Sequence, residues 1–71
     1  MTYTNGYQAG YDAGYADGFA NRQKNAVAAL GLTGILRSIA SPQVYQDTYI
    51  EGYDEGYRLG VRNYQEKKNQ D

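Results

Sequence analysis

The side chains able to do chemistry in this chain are carboxylates and phenols. Asp47, Glu51, Asp54 and Glu55 crowd one short stretch, and nine tyrosines recur through the 71 residues. On a helix Glu51 and Glu55 share a face, where a carboxylate pair can hold a divalent cation or move a proton. The same spacing more simply gives a solvated face, with Arg58 four residues after Asp54 as an ion pair. Histidine and cysteine are both absent. That removes the commonest general base, the commonest transition-metal ligand and any disulfide or thiolate site. Tyrosines can stack nucleobases, but such sites need a basic groove along the phosphates. Seven basic residues against eight acidic ones leave a net charge of -1. The glycine-rich runs lack the lysine and hydroxyl of a phosphate loop. The reading is a non-enzyme, with no catalytic, cofactor-binding or metal-binding residue and no cofactor.

What positions the tyrosines is a repeat. YTNGYQAGYDAGYADGF, from Tyr3 to Phe19, and YQDTYIEGYDEGYRLGV, from Tyr45 to Val61, match register by register. Tyrosines 3, 7, 11 and 15 align with 45, 49, 53 and 57, and glycines 10, 14 and 18 with 52, 56 and 60. Thr48 stands in place of Gly6, and Val61 in place of Phe19. The chain is a duplicated arm around a different middle. The remaining positions hold Ala, Gln, Asp, Glu, Arg and Leu with few β-branched residues, which predicts helices and an all-α fold.

Glycine inside a helix is disfavoured by about 1 kcal/mol relative to alanine, so seven of them need an offsetting gain. Glycine at every fourth residue carves a slot that lets a second backbone approach until Cα–H groups meet carbonyls. Tyrosine flanks the slot, and rings four apart stack. Gly10, Gly14, Gly18, Gly52, Gly56 and Gly60 are therefore the expected helix-packing positions. A four-residue step turns about 400°, so the stripe drifts roughly 40° per step. It favours crossing along the i±4 ridges, or different partners at its two ends.

The chain reads as one small domain: arm one 3–22, an aliphatic middle helix 25–40, and arm two 42–68. The expected architecture is a helical hairpin or three-helix unit. In the middle, Ala28, Leu32, Ile35 and Ile39 follow a helical stripe with Leu30 and Leu36 beside it. Asn25 is placed to cap its start, and Ser41-Pro42 to end it and open the next helix. Arg37 alone gives no basic face for a membrane-surface helix. No run approaches the roughly 20 apolar residues of a membrane span, and MTYTNGYQ lacks the features of a secretory signal. A cytoplasmic protein is expected. A chain this short struggles to bury a core, and slotted arms would leave surface unfilled, so a homo-oligomer, a dimer first of all, is expected.

The run GYQAGYDAG at residues 6–14 resembles ribosome modulation factor, whose first helix carries a similar Gly-Tyr-x-x-Gly run followed by Gly-Arg. The resemblance covers about 20 residues, Gly6 to Arg22, with an echo at Gly52–Arg62. It implies a helical hairpin that binds ribosomal RNA and represses translation; charge discriminates, since RNA binding should track Arg22, Lys24, Arg58 and Arg62, whereas protein binding should survive moderate salt. That family is strongly basic, whereas this chain is at -1. Similar runs occur in flagellar export regulators that dimerise through Gly-x-x-x-Gly helices, and in deca-repeat adaptor proteins of iron–sulfur maturation. Their common implication is protein–protein contact. The leading expectation is thus a protein-binding module, a small regulator or phage-type inhibitor that occludes or bridges a larger protein. An RNA-associated regulator and a structural assembly protein are the alternatives. Arm ends are expected to stay exposed, so Tyr3, Tyr7, Tyr45 and Tyr49, with Glu51, Asp54 and Glu55 nearby, are the expected partner-binding residues.

Overall fold

The computed structural model describes residues 5–33 and 42–70. They form three helices and no strand: α1 Tyr7–Phe19, α2 Ala26–Thr33 and α3 Pro42–Gln70. The fold is an all-α three-helix unit of 47 × 22 × 12 Å. At 1.5 Å per residue the 29 residues of α3 span about 44 Å and set the long dimension. No helix among the described residues is long and apolar enough to cross a membrane.

The two arms pack on each other within one chain, and they run parallel. Gly6 lies against Tyr45, Gly10 against Tyr49, Gly14 against Tyr53 and Gly18 against Tyr57. Rising number meets rising number. The reverse contacts follow the same rule, with Gly52 on Tyr7, Gly56 on Tyr11 and Gly60 on Tyr15. Each pair therefore has a counterpart displaced by 42 residues in both chain segments. That relation is a pseudo-two-fold axis running along the helices. A Cβ built on any of these seven glycines would stand under 3.0 Å from a backbone oxygen of the other helix. The backbones are in direct contact, in the geometry of Cα–H···O=C pairs. The stripe stays on one partner along its whole length, with the i±4 ridges of both helices meeting. The slots are filled inside one chain, so the glycines themselves do not require a second copy.

Thr48, the one departure from the glycine pattern, has its own task. Its hydroxyl accepts the Gly6 N–H at 2.7 Å and is shared between the carbonyls of Val44 and Tyr45 at 2.8 and 3.1 Å. It thereby satisfies a donor at the start of α1, where Asn5 Oδ1 also accepts the Tyr7 N–H at 3.1 Å. At the other end Asn21 adopts φ 61°, with Arg22 N–H on Asp17 O at 2.9 Å and Asn21 N–H on Gly18 O at 3.1 Å. This is a Schellman stop with asparagine in the left-handed position. Its repeat counterpart, Asn63, continues as helix in α3.

Asn25 caps α2 through its side chain, accepting the Ala28 N–H at 3.0 Å. The start of α2 meets Tyr53, and Leu30 joins Tyr45 and Tyr49 in the core, so α2 runs back along α3. Its inward face is Ala26, Ala29 and Leu30, whereas Ala28, expected on the buried stripe, is exposed. A segment apolar on every side has no periodicity to choose a face, and the tyrosines chose it. The side chain of Leu32, and residues 34–40 with Ile35, Leu36 and Ile39, lie outside the described residues, as does Ser41. Pro42 opens α3 at the first helical position, where its missing N–H is harmless. Among the described residues the buried hydrophobic side chains are Leu30, Tyr45, Tyr49 and Tyr53.

Candidate functional site

A parallel helix pair has a groove on each side, and the pseudo-two-fold makes these two grooves equivalent in backbone. The tyrosines of α3 border one and the tyrosines of α1 border the other. Rings four apart lie against each other on both: Tyr45 and Tyr49 at 6.2 Å, Tyr53 and Tyr57 at 6.0 Å, Tyr7 and Tyr11 at 6.3 Å, Tyr15 and Phe19 at 6.1 Å. The α3 groove is covered by α2, and there Tyr45, Tyr49 and Tyr53 are only 5%, 2% and 0% exposed. Among the described residues nothing covers the α1 groove. Tyr7 is 38% exposed, and Tyr11, Tyr15 and Phe19 are half-buried.

The far walls differ in chemistry. Ala13, Ala16 and Asp17 of α1 line the space beneath α2. Their counterparts 42 residues on are Glu55, Arg58 and Leu59. Glu55 and Arg58 pair with each other at 2.6 Å, so the open groove has a charged rim. At its lower end Asn63 Nδ2 donates to Tyr15 Oη at 2.7 Å, Tyr64 meets Phe19 edge-on at 6.4 Å, and Lys67 Nζ lies 5.6 Å above the Phe19 ring.

The covered side is fastened by hydroxyls. Tyr53 Oη donates to Asp17 Oδ2 at 2.6 Å and accepts the Asn25 N–H at 3.2 Å. Tyr57 Oη donates to the Arg22 carbonyl, and Arg22 Nη1 reaches Asp17 Oδ1 at 3.1 Å. Two phenols thus hold the turn between α1 and α2. Burial pushes the Tyr53 hydroxyl up to about 12; the Asp17 hydrogen bond and charge add to this, and the Asn25 N–H opposes it. Burial, with Tyr45 and Asp17 nearby, also raises Tyr49.

These positions redistribute the expected partner-binding residues. Tyr7 lies in the open groove. Tyr45 and Tyr49 do not lie at a surface: α2 packs over that end of arm two and buries both. Tyr3 lies outside the described residues. Glu51 and Asp54 are exposed and Glu55 is half-buried, around a shallow hollow shared with Lys24, Tyr57 and Arg58. Asp54 pairs with Lys24 at 3.0 Å, and Arg58 with Glu55 instead of with Asp54. Tyr11, Tyr15 and Phe19, not singled out in the sequence, join Tyr7 on the open side. Both arms carry tyrosine at the same four register positions, and the position of α2 buries those of one arm.

The four cations that would track phosphates are each next to a carboxylate: Arg22 on Asp17, Lys24 on Asp54, Arg58 on Glu55 and Arg62 on Glu66 at 3.4 Å. No group of three His, Cys, Asp or Glu side chains among the described residues is arranged to hold a metal ion. Comparison of the chain with family models, with curated proteins and with solved structures finds no match.

Proposed function

We propose that this chain is a non-catalytic, helical protein-binding module whose docking surface is the open tyrosine groove of α1. The observation that carries the reading is the contrast between two equivalent grooves. One holds a helix, and the other presents Tyr7, Tyr11, Tyr15 and Phe19 with no helix of the described residues over them. Tyrosine is suited to this task, because it brings a large apolar ring at a small loss of side-chain entropy and keeps a polar tip for the rim. A module of this size acts by occupying or bridging a surface on a protein partner, in the manner of a small regulator or inhibitor. The paired state of Arg22, Lys24, Arg58 and Arg62 supports protein over RNA as the ligand.

The test is a photo-cross-linking amino acid placed at Tyr7 or Tyr11 in the cells that make the protein. Adducts should form from these positions and not from Gln65 or Gln70 on the exposed end of α3. Equal yields from all four positions, or none from any, would overturn the reading.

A further inference from the structure

Asn5 and Gly6 form the only Asn–Gly step in the chain; Asn21, Asn25, Asn63 and Asn69 precede arginine, alanine, tyrosine and glutamine. Such a step is where asparagine converts most readily to an acid, because glycine puts no side chain in the way of its own nitrogen. The Gly6 nitrogen loses its proton to hydroxide and attacks Asn5 Cγ. The new N–Cγ bond closes a cyclic imide, the Cγ–Nδ2 bond breaks, and Nδ2 leaves as ammonia. Water then opens the ring. At Cγ it yields aspartate, and at the main-chain carbonyl of Asn5 it yields isoaspartate, whose backbone runs through the side chain. One amide and one water become one carboxylate and one ammonium, with nothing oxidised or reduced.

The fold acts on both partners of that attack, in opposite senses. Asn5 Oδ1, where negative charge gathers as the ring closes, accepts the Tyr7 N–H at 3.1 Å, at the positive end of α1. The electrophile is polarised. The nucleophile is restrained, because the Gly6 N–H is held by Thr48 Oγ1 at 2.7 Å across 42 residues of sequence. Thr48 is itself fixed, its hydroxyl shared between the Val44 and Tyr45 carbonyls of its own helix. Gly6 also has little room to swing: a Cβ on it would stand 2.6 Å from the Tyr45 carbonyl oxygen and 2.9 Å from Tyr49 Cβ. Thr48 stands where the repeat has glycine in arm one, and a glycine there would have no hydroxyl to hold the nitrogen.

We propose that Asn5 is a site of spontaneous deamidation, and that Thr48 is the positioning residue that restrains it while the two arms are closed. Reaction then proceeds through molecules in which the end of α1 has opened from α3. The two products differ in consequence. Aspartate keeps an oxygen for the Tyr7 N–H and adds charge where the helix dipole favours it. Isoaspartate lengthens the main chain by one methylene directly ahead of Gly6, and so disturbs the close fit of Gly6 on Tyr45. Either product adds one negative charge to a net of -1. Nothing in the chemistry restores the amide, so the acid accumulates with each opening of the arm end.

The test incubates the wild-type chain, folded and unfolded in urea, at mildly alkaline pH below the range in which the phenols ionise. The acidic form is separated by ion exchange and located by peptide mapping. Acid should appear first at Asn5, and several-fold faster in urea than in the folded chain. Thr48→Val keeps the shape of the side chain and removes its hydroxyl; at unchanged helicity it should speed the folded reaction several-fold. Thr48→Ser retains the hydroxyl and should stay near the wild-type rate. Equal rates in folded and unfolded wild type would overturn the restraint without recourse to any variant. A folded Thr48→Val chain reacting at the wild-type rate would remove Thr48 from it. Acid formed first at Asn21, Asn25, Asn63 or Asn69 would overturn Asn5 as the site.

Discussion

Gly14 in α1 rests on the carbonyl of Tyr53 in α3, and Gly56 rests on the carbonyl of Tyr11. The two contacts are one contact seen twice, because 14 and 56, like 11 and 53, differ by the 42-residue repeat. Each arm supplies both halves, a glycine that recedes and a tyrosine carbonyl that advances. Selection for one interface therefore acts on both copies of the arm at once, which explains why the glycine stripe is so regular.

Alanine at Gly14 or Gly56 should destabilise the fold even though alanine is the better helix former by about 1 kcal/mol. The added methyl would stand under 3.0 Å from a backbone oxygen, which cannot move aside as a side chain can. Overpacking of this kind costs about 1–3 kcal/mol, and here both helices must separate. Gly31→Ala is the matched control, since its Cβ points into open space; it should raise stability by up to ~1 kcal/mol. Urea midpoints of the three variants decide it. Stabilisation by all three would mean the backbones are not in contact.

Asn21 and Asn63 are repeat counterparts in opposite backbone states, and glycine should separate them. At Asn21, with φ 61°, glycine relieves the left-handed strain and should leave stability within a few tenths of a kcal/mol of wild type, or above it. At Asn63, inside α3, glycine loses the bond to Tyr15 Oη, which contributes most of the cost, and about 0.3 kcal/mol of helix propensity. Thermal melts that respond alike to both substitutions would contradict the assigned end of α1.

Much of the fold is legible in the residues, and the limits have physical causes. The four-residue glycine period identifies the arms as helices built for close approach, and Asn25 and Pro42 mark helix starts. The direction of the pair is not legible, because the slot spacing alone does not distinguish parallel from antiparallel neighbours. Nor is the end of α1: Asn21 and Asn63 are the same residue type, and only tertiary contact makes one a stop. The candidate site is hidden for the same reason. Tyr7 and Tyr49 hold the same register position of the repeat, and the packing of α2 on one side alone makes one a surface residue and the other core.

The buried phenols give the fold an alkaline limit. Tyr53 is raised to about 12 from 10, so the folded state prefers its neutral form. The unfolded chain ionises first, near 10. The stabilising contribution is therefore complete below about pH 10 and is lost as pH rises towards 12, on the order of 2 kcal/mol for this group. Tyr49 shifts in the same direction and adds to the slope. Urea denaturation across this range, followed by tyrosinate absorbance, should show falling midpoints and a fraction of tyrosine that ionises only on unfolding. Tyr53→Phe should lose part of that pH slope, and should cost about 1–3 kcal/mol at neutral pH by leaving the Asn25 N–H and Asp17 without their partner. An unchanged slope in Tyr53→Phe would mean that Tyr53 does not carry the transition.

Alanine at Tyr7 and alanine at Tyr49 should give opposite phenotypes, although the two residues occupy the same register position of the repeat. Tyr49 is 2% exposed beneath α2, and truncating a buried aromatic removes packing worth about 3–5 kcal/mol. Tyr49 packs with Leu30, Tyr45 and Tyr53, and in a chain of 71 residues that loss approaches the whole stability of a marginal domain. Tyr49→Ala should therefore show reduced helical circular dichroism and a low or absent melting transition. Tyr7 begins α1 at the edge of the open groove, and among the described residues the ring contact that truncation removes is the one with Tyr11. Tyr7→Ala should keep the helical signal and melt within a few degrees of wild type, while reducing cross-linking from Tyr11 several-fold. Loss of helicity in Tyr7→Ala would make the α1 ladder a structural element and remove the exposed tyrosine from the docking surface; unimpaired cross-linking in a folded Tyr7→Ala chain would do the same for its role in binding.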